Sequence, residues 1–370
     1  MKQKIRLIIL LAASSIFVHG QTVKKIYFNW QWKAPVTQDS AKYYRIVKFD
    51  KKNNPDGKIS DYFITGELQA EIDGALKIDS LNDSNSVFIK KTTRYTKSGK
   101  KESETIRDEV GNRISSTAWY ESGSVRYEIQ FKDGKENGVS GYFYENGNKK
   151  ADFPYINGKK EGVAKWYYIG GDLLSEIPYT NNKKNGTGKW YYQKQGSLHS
   201  EVNYVDDMKN GVAKYYYETG ELDDETIYKD DTIIGISKYY YKDGKLQAEL
   251  PHNNGKLDGT YKSYYENGKS MSTYDYLGDS LNGYVILYWE NGKLKRRDKY
   301  ENGKFVEGKC YDSTGVAVEH FDYYVEGPSE DVFTIVQQMP VFPGNVNEYL
   351  SKNVTYPKKE QKMALQAQFI

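Results

Sequence analysis

The residues able to do chemistry in this chain are few and far apart. Of the four histidines, His19 lies in the first twenty residues, while His199, His252 and His320 are scattered over separate segments. None has the close spacing that places two metal ligands on one element. The single cysteine, Cys310, has no neighbouring histidine to activate it as a nucleophile, and being alone it can form no intramolecular disulfide. No glycine-rich loop follows a strand and opens a helix, as a phosphate cradle would. Asp50 to Asp61 has the flavour of a calcium loop, but aligning Gly57 with the required glycine puts Lys52 at the first ligand position. Glu145, Glu218, Glu266 and Glu290 recur at equivalent places and read as turn chemistry, not as a catalytic pair. The chain therefore reads as non-enzymatic, with no catalytic residue, metal or cofactor.

What is abundant is tyrosine, 36 residues against 13 phenylalanines. A thin sheet needs side chains with an apolar body for packing and a polar tip for water, and tyrosine supplies both. The aromatics come in clusters, Trp166-Tyr167-Tyr168, Trp190-Tyr191-Tyr192, Tyr215-Tyr216-Tyr217 and Tyr239-Tyr240-Tyr241 among them. Alternation along a strand puts the outer two of each cluster on one face and the middle one on the other, so both faces are expected to be aromatic. Trp166, Tyr168, Trp190, Tyr192, Tyr215, Tyr217, Tyr239 and Tyr241 then form the candidate binding surface. Packing between neighbouring hairpins is the competing role for the same rings.

The elements that position these rings repeat. Gly138, Gly162, Gly186, Gly211, Gly235, Gly259, Gly283 and Gly308 stand 24, 24, 25, 24, 24, 24 and 25 residues apart, and a fixed period of this length marks a repeat architecture. Each aromatic cluster sits just past its glycine and is followed by a turn such as Glu145-Asn146-Gly147 or Glu266-Asn267-Gly268. Read as a two-residue turn with both residues at positive φ, Asn146-Gly147 pairs residues whose numbers sum to 293. Tyr142 then faces Ala151, and Tyr155 faces Gly138. The same arithmetic sets Tyr179 against Gly162, with His252 replacing the tyrosine once. The expected reason is a ring lying over a glycine that offers no Cβ.

The unit G-x3-(W/Y)-Y-Y-x-(N/D/T)-G-x7-Y resembles the variant MORN repeat of bacterial proteins, including those labelled antitoxins. The resemblance covers about half the chain closely. It implies a scaffold role, the partner differing from protein to protein. Counting turn glycines, the chain is expected to be an all-β, extended antiparallel array of about eleven β-hairpin repeats.

Taken in order, residues 1–20 read as a cleavable export signal: Lys2, Lys4 and Arg6, an apolar run from Leu7 to Val18, and a predicted cleavage after Gly20. That run is too short for a bilayer of about 30 Å. Its removal takes three of the 53 basic residues, leaving them equal to the 50 acidic ones. A neutral, interspersed surface gives no reason to bind nucleic acid, and membrane contact would be at most peripheral. Residues 21–56 are expected to cap the array, residues 57–137 to form diverged repeats with an insertion around residues 79–86, and residues 138–327 to form regular ones. From residue 328 the tyrosine-rich pattern stops. Met339-Pro340-Val341-Phe342-Pro343-Gly344, a helical stretch and then Tyr356-Pro357 resemble the opening of a TonB C-terminal domain, an α+β fold of which residues 328–370 match about half. That resemblance implies a docking element at Met339, Pro340, Phe342, Pro343, Tyr356 and Pro357, and a TonB-system, transport-associated partner. The functional expectation is an exported, periplasmic scaffold that binds an envelope protein, with transport coupling and antitoxin-like inhibition as alternatives.

Overall fold

The structure is a computed structural model, and it describes residues 15–18, 21–32, 36–49, 55–74, 90–194 and 196–318. The chain divides into two units, Met1–Val318 and Glu319–Ile370, and the second lies outside the described residues, with the whole TonB-like tail. The insertion expected around residues 79–86 lies outside them too. The described part is all-β: strand follows strand in an antiparallel meander from Ser15–Val18 to Ala317–Val318. Ser15–Val18, inside the segment read as an export signal, pairs with Gln21–Lys24. The only helix among the described residues is a single 3-10 turn, Gln38–Ser40, and none is long and apolar enough to cross a membrane.

Two kinds of turn alternate at opposite ends of the strands. At one end the chain closes through three residues, as at Glu145-Asn146-Gly147, where Tyr144 N–H donates to Asn148 O and Gly147 N–H to Tyr144 O. Only the glycine has positive φ, at 88°, so the expected two-residue turn is corrected. A three-residue loop that ends in a left-handed glycine closes a hairpin without a second left-handed residue. The longer loop pairs Phe143 with Lys149, summing to 292, and Lys150 is then left unpaired as a β-bulge, so that Tyr142 meets Ala151 at 293. The two departures cancel, which is why the predicted register holds away from the turn. At the other end, Asn157-Gly158, Asn181-Asn182 and Asp206-Asp207 are two-residue turns with both φ positive, between 50° and 79°. Asn and Asp tolerate that region better than other side chains do.

Gly138, Gly162, Gly186, Gly211, Gly235, Gly259 and Gly283 all have positive φ and pair with Tyr155, Tyr179, Tyr204, Tyr228, His252, Tyr276 and Tyr300. The pairing is as expected; the reason is different. All seven hold φ between 67° and 128°, which side chains rarely adopt, and at Gly186 and Gly259 a Cβ would also lie 3.0 and 3.2 Å from Pro178 and Pro251 Cγ of the preceding hairpin, so backbone conformation and not the tyrosine ring calls for glycine. Gly308 does not continue the series. Its φ is not in the left-handed region, and it pairs with Asp298 at the slot that Val285 fills one repeat earlier.

Each face carries its own row. On one, large and small residues alternate from strand to strand: Ala151, Trp166, Ser175, Trp190, Ser200, Tyr215, Asp224, Tyr239 and Ala248 are successive cross-strand partners. The small members are buried, Ala151 and Ser175 among them, because the rings lie beside them. On the other face Lys165 meets Glu176 at 2.8 Å and Lys189 meets Glu201 at 3.2 Å, while the Tyr191 and Tyr216 hydroxyls donate to Glu176 and Glu201 at 3.0 and 3.2 Å. Next to this polar row lies an apolar band with exposed Val139, Val163, Val212 and Ile236, paired across strands with Pro154, Pro178, Ile227 and Pro251. At the start of the sheet a bespoke core replaces the rows. Val47, Phe49, Ile59 and Ile72 cluster there, and buried Arg45 holds Asp61 with bonds of 2.7 and 2.9 Å.

Candidate functional site

The third aromatic of each cluster hands its polar tip to the next hairpin. The Tyr144, Tyr168, Tyr192, Tyr217, Tyr241 and Tyr265 hydroxyls donate to the backbone oxygens of Tyr167, Tyr191, Tyr216, Tyr240, Tyr264 and Tyr288 at 2.7–3.0 Å. Trp289 continues the ladder through Nε1 to Tyr311 O at 3.0 Å. These tyrosines are therefore fixed in rotamer and direction, and burial raises the hydroxyl pKa of each of Tyr168, Tyr192, Tyr217 and Tyr241. For Tyr217 the rise, burial first and then its bond to Asp223, reaches about 12.

Against this shelf stands the residue that the bulge leaves unpaired in each repeat. In chain order from Lys150 these are Leu174, His199, Asp223, Gln247, Met271 and Lys295. Lys150 Nζ lies 6.0 Å from the Tyr144 ring centre, the His199 ring 4.8 Å from that of Tyr192, and Lys295 Nζ 4.4 Å above the Trp289 ring. Asp223 bonds Tyr217, and Gln247 bonds Tyr241. The slot is constant while its occupants are basic, aliphatic, aromatic, acidic, amide and thioether. Burial holds the His199 imidazole below its ordinary pKa, partly opposed by Asp223. Asp224, beside it, is pushed up to about 6 by burial and by the Asp223 carboxylate.

The structure brings all eight sequence-derived candidates onto this face. Trp166, Trp190, Tyr215 and Tyr239 form the alternating row, with Trp166 edge-on to Phe153 at 5.2 Å and Trp190 at 6.3 Å from Tyr204. Tyr168, Tyr192, Tyr217 and Tyr241 form the shelf. Met339, Pro340, Phe342, Pro343, Tyr356 and Pro357 lie outside the described residues. Among the described residues no cluster of three or more His, Cys, Asp or Glu side chains could hold a metal. The bulge residues escaped the sequence reading, although each stands three positions after its turn glycine, from Gly147 and Lys150 to Gly292 and Lys295. Aligning the repeats on that glycine exposes one column of unlike residues.

The fold and this face define an all-β hairpin array presenting side chains from a fixed frame. The MORN repeat variant matches residues 115–133, 160–181, 209–230, 234–254, 257–277 and 281–304. Variant MORN repeats are thus found across residues 115–304. No curated protein matches it in sequence. Among solved structures it is similar to the crystal structure of TcdB2-TccC3-TEV, at 14% identity over 82% of this chain and 19% of that one, with a TM-score of 0.14. The crystal structure of TcdB2-TccC3-Cdc42 gives 13% identity, 80% and 19% coverage and a TM-score of 0.13. The chain thus spans about a fifth of the length of those chains, and scores this low carry no argument about fold or function.

Proposed function

We propose that this protein is an exported, non-enzymatic scaffold that binds a protein partner in the cell envelope, and that the bulge row on the aromatic shelf reads the partner. The observation that supports this is the combination of a repeated hydrogen-bonded frame with a column of widely varied side chains beside it. Six tyrosine hydroxyls and one indole N–H make the same backbone bond, while the seven adjacent side chains are of six kinds that differ in charge, size and polarity. A repeat needed only for stability has no reason to vary chemistry at a single geometrically fixed slot, whereas a recognition surface does. Export rests on the leader read at residues 1–20, and the envelope setting also on the TonB-like tail at residues 328–370, a second docking element in this reading.

The test is a crosslinking pull-down from an envelope fraction, comparing the unaltered chain with Leu174→Glu/Met271→Glu in the row and with Lys189→Gln on the opposite face. Loss of capture by at least about tenfold for the row variant alone is the expected outcome, the size that one or two central contacts carry. Equal capture by both variants would sink the assignment of the row. A chain ending at residue 327 tests the tail in the same experiment, since a working docking element lowers capture when it is removed.

A further inference from the structure

We infer that the face opposite the aromatic shelf is the interface of a homodimer, in which the apolar bands of two copies pack sheet against sheet. The band is apolar where Val139 pairs with Pro154 and Val163 with Pro178, and again past Thr187–Asn203 where Val212 pairs with Ile227 and Ile236 with Pro251, and its valines and isoleucine are 38–56% exposed. Exposed apolar residues clustered on one face of a sheet mark an interaction site. With equivalent residues about 10 Å apart, the two apolar stretches from Val139 to Ile236 and the adjoining polar row together offer on the order of 800 Å², the share each partner gives to a standard-size interface.

Two features on this face select a second copy over other occupants. The first is charge. The row beside the band is neutral with signs alternating across the pairs, as in Lys165–Glu176 and Lys189–Glu201, so it offers no field to an anionic surface or polymer. A two-fold axis that passes midway between a lysine and a carboxylate of this row sets lysines of one copy against carboxylates of the other. The second is period. Apolar positions recur once per 24-residue repeat, and a partner that fills them all must carry the same spacing, which a second copy does. Twisted sheets pack with strands about 30° apart, so contact is closest at one point and fades away from it. The stretch from Val212 to Ile236 is the apolar centre between Thr187–Asn203 and Thr260–Asp275, two polar interruptions that would fall toward the rim. The contact is isologous, each copy using the same patch.

The test is light scattering during size exclusion of the full chain, down to about 1 µM, above the Kd range of standard-size interfaces. A mass twice that of the chain is expected, falling to that of one chain for Val212→Glu/Ile236→Glu with an unchanged circular dichroism spectrum. A single-chain mass for the unaltered protein, or a double variant that stays dimeric, overturns the proposal. A misfolded variant would also lose the dimer, so isotope-mixed unaltered chains are crosslinked through lysine as an independent readout. Inter-copy links among Lys165, Lys189 and Lys238 support the interface, and links confined to other lysines reject it.

Discussion

Asp224 occupies a slot that Ala151, Ser175, Ser200, Ala248 and Ser272 fill in other repeats, with Tyr215 and Tyr239 as its cross-strand neighbours. Elsewhere in the sheet a buried carboxylate has an arginine: Asp61 has Arg45 and Asp298 has Arg296. Asp224 has rings and the repelling charge of Asp223, and its pKa of about 6 stands above the unfolded 3.8. The folded chain thus keeps a proton that the unfolded chain releases between about pH 4 and 6, so this residue's contribution falls as pH rises through that window. Asp224→Ser should therefore stabilise the protein at pH 7 by about 1 kcal/mol, a figure discounted for the carboxylate's access to water. The gain should vanish near pH 4. His199 has the opposite sign, because burial lowers its pKa and its contribution is lost as pH falls. Urea unfolding of the two proteins at several pH values isolates Asp224 by difference, and a gain independent of pH would refute the account.

At the scale of the hairpin, glycines of two kinds do different work. Gly186 supplies a φ of 107° at a bend, so Gly186→Ala should cost about 1–2 kcal/mol through backbone strain and contact with Pro178. Gly308 has ordinary φ, but a Cβ there would collide with the Asp298 carboxylate that Arg296 Nε holds at 2.6 Å. Displacing Asp298 breaks a pair whose acid is buried, so Gly308→Ala should cost about 3 kcal/mol. Removing the acid as well, as Gly308→Ala/Asp298→Ala, should not recover the loss, since Arg296 is then left without its carboxylate. Denaturation midpoints of the three proteins check the order. Equal costs for Gly186→Ala and Gly308→Ala would mean that φ, not the ion pair, dominates both.

Over the whole sheet, stability should be local. Hydrogen bonds and strand pairs join each hairpin to its immediate neighbours, as Tyr192 reaches Tyr216 and Tyr217 reaches Tyr240. Tyr217→Phe removes one rung and leaves the Tyr240 carbonyl without its donor, a loss of about 1 kcal/mol. Hydrogen exchange should then quicken in the strands flanking that rung, Gly211–Tyr216 through Leu246–Asn253, and stay unchanged around Val47, Ile59 and Ile72 at the start of the sheet. A uniform rise across the chain would instead show one cooperative unit.

The sequence by itself determined the period, the all-β class and the register, because glycine spacing and turn signals act over a few residues and pair strands arithmetically. Tyr142 opposite Ala151 and Tyr155 opposite Gly138 needed nothing more. It also placed the outer and middle aromatics on opposite faces. Only the tertiary structure decided why the repeat glycines are glycine, since it set their left-handed φ and, at Gly186, brought Pro178 of the preceding hairpin within 3.0 Å of where a Cβ would lie. It decided that Gly308 stands in a different slot, that Asp224 lies between two rings, and that an unpaired residue projects beside each shelf tyrosine. The last depends on a bulge whose one-residue shift is hidden when a longer turn compensates it, so the pairing numbers look unbroken while the side chains beside the turn are redistributed.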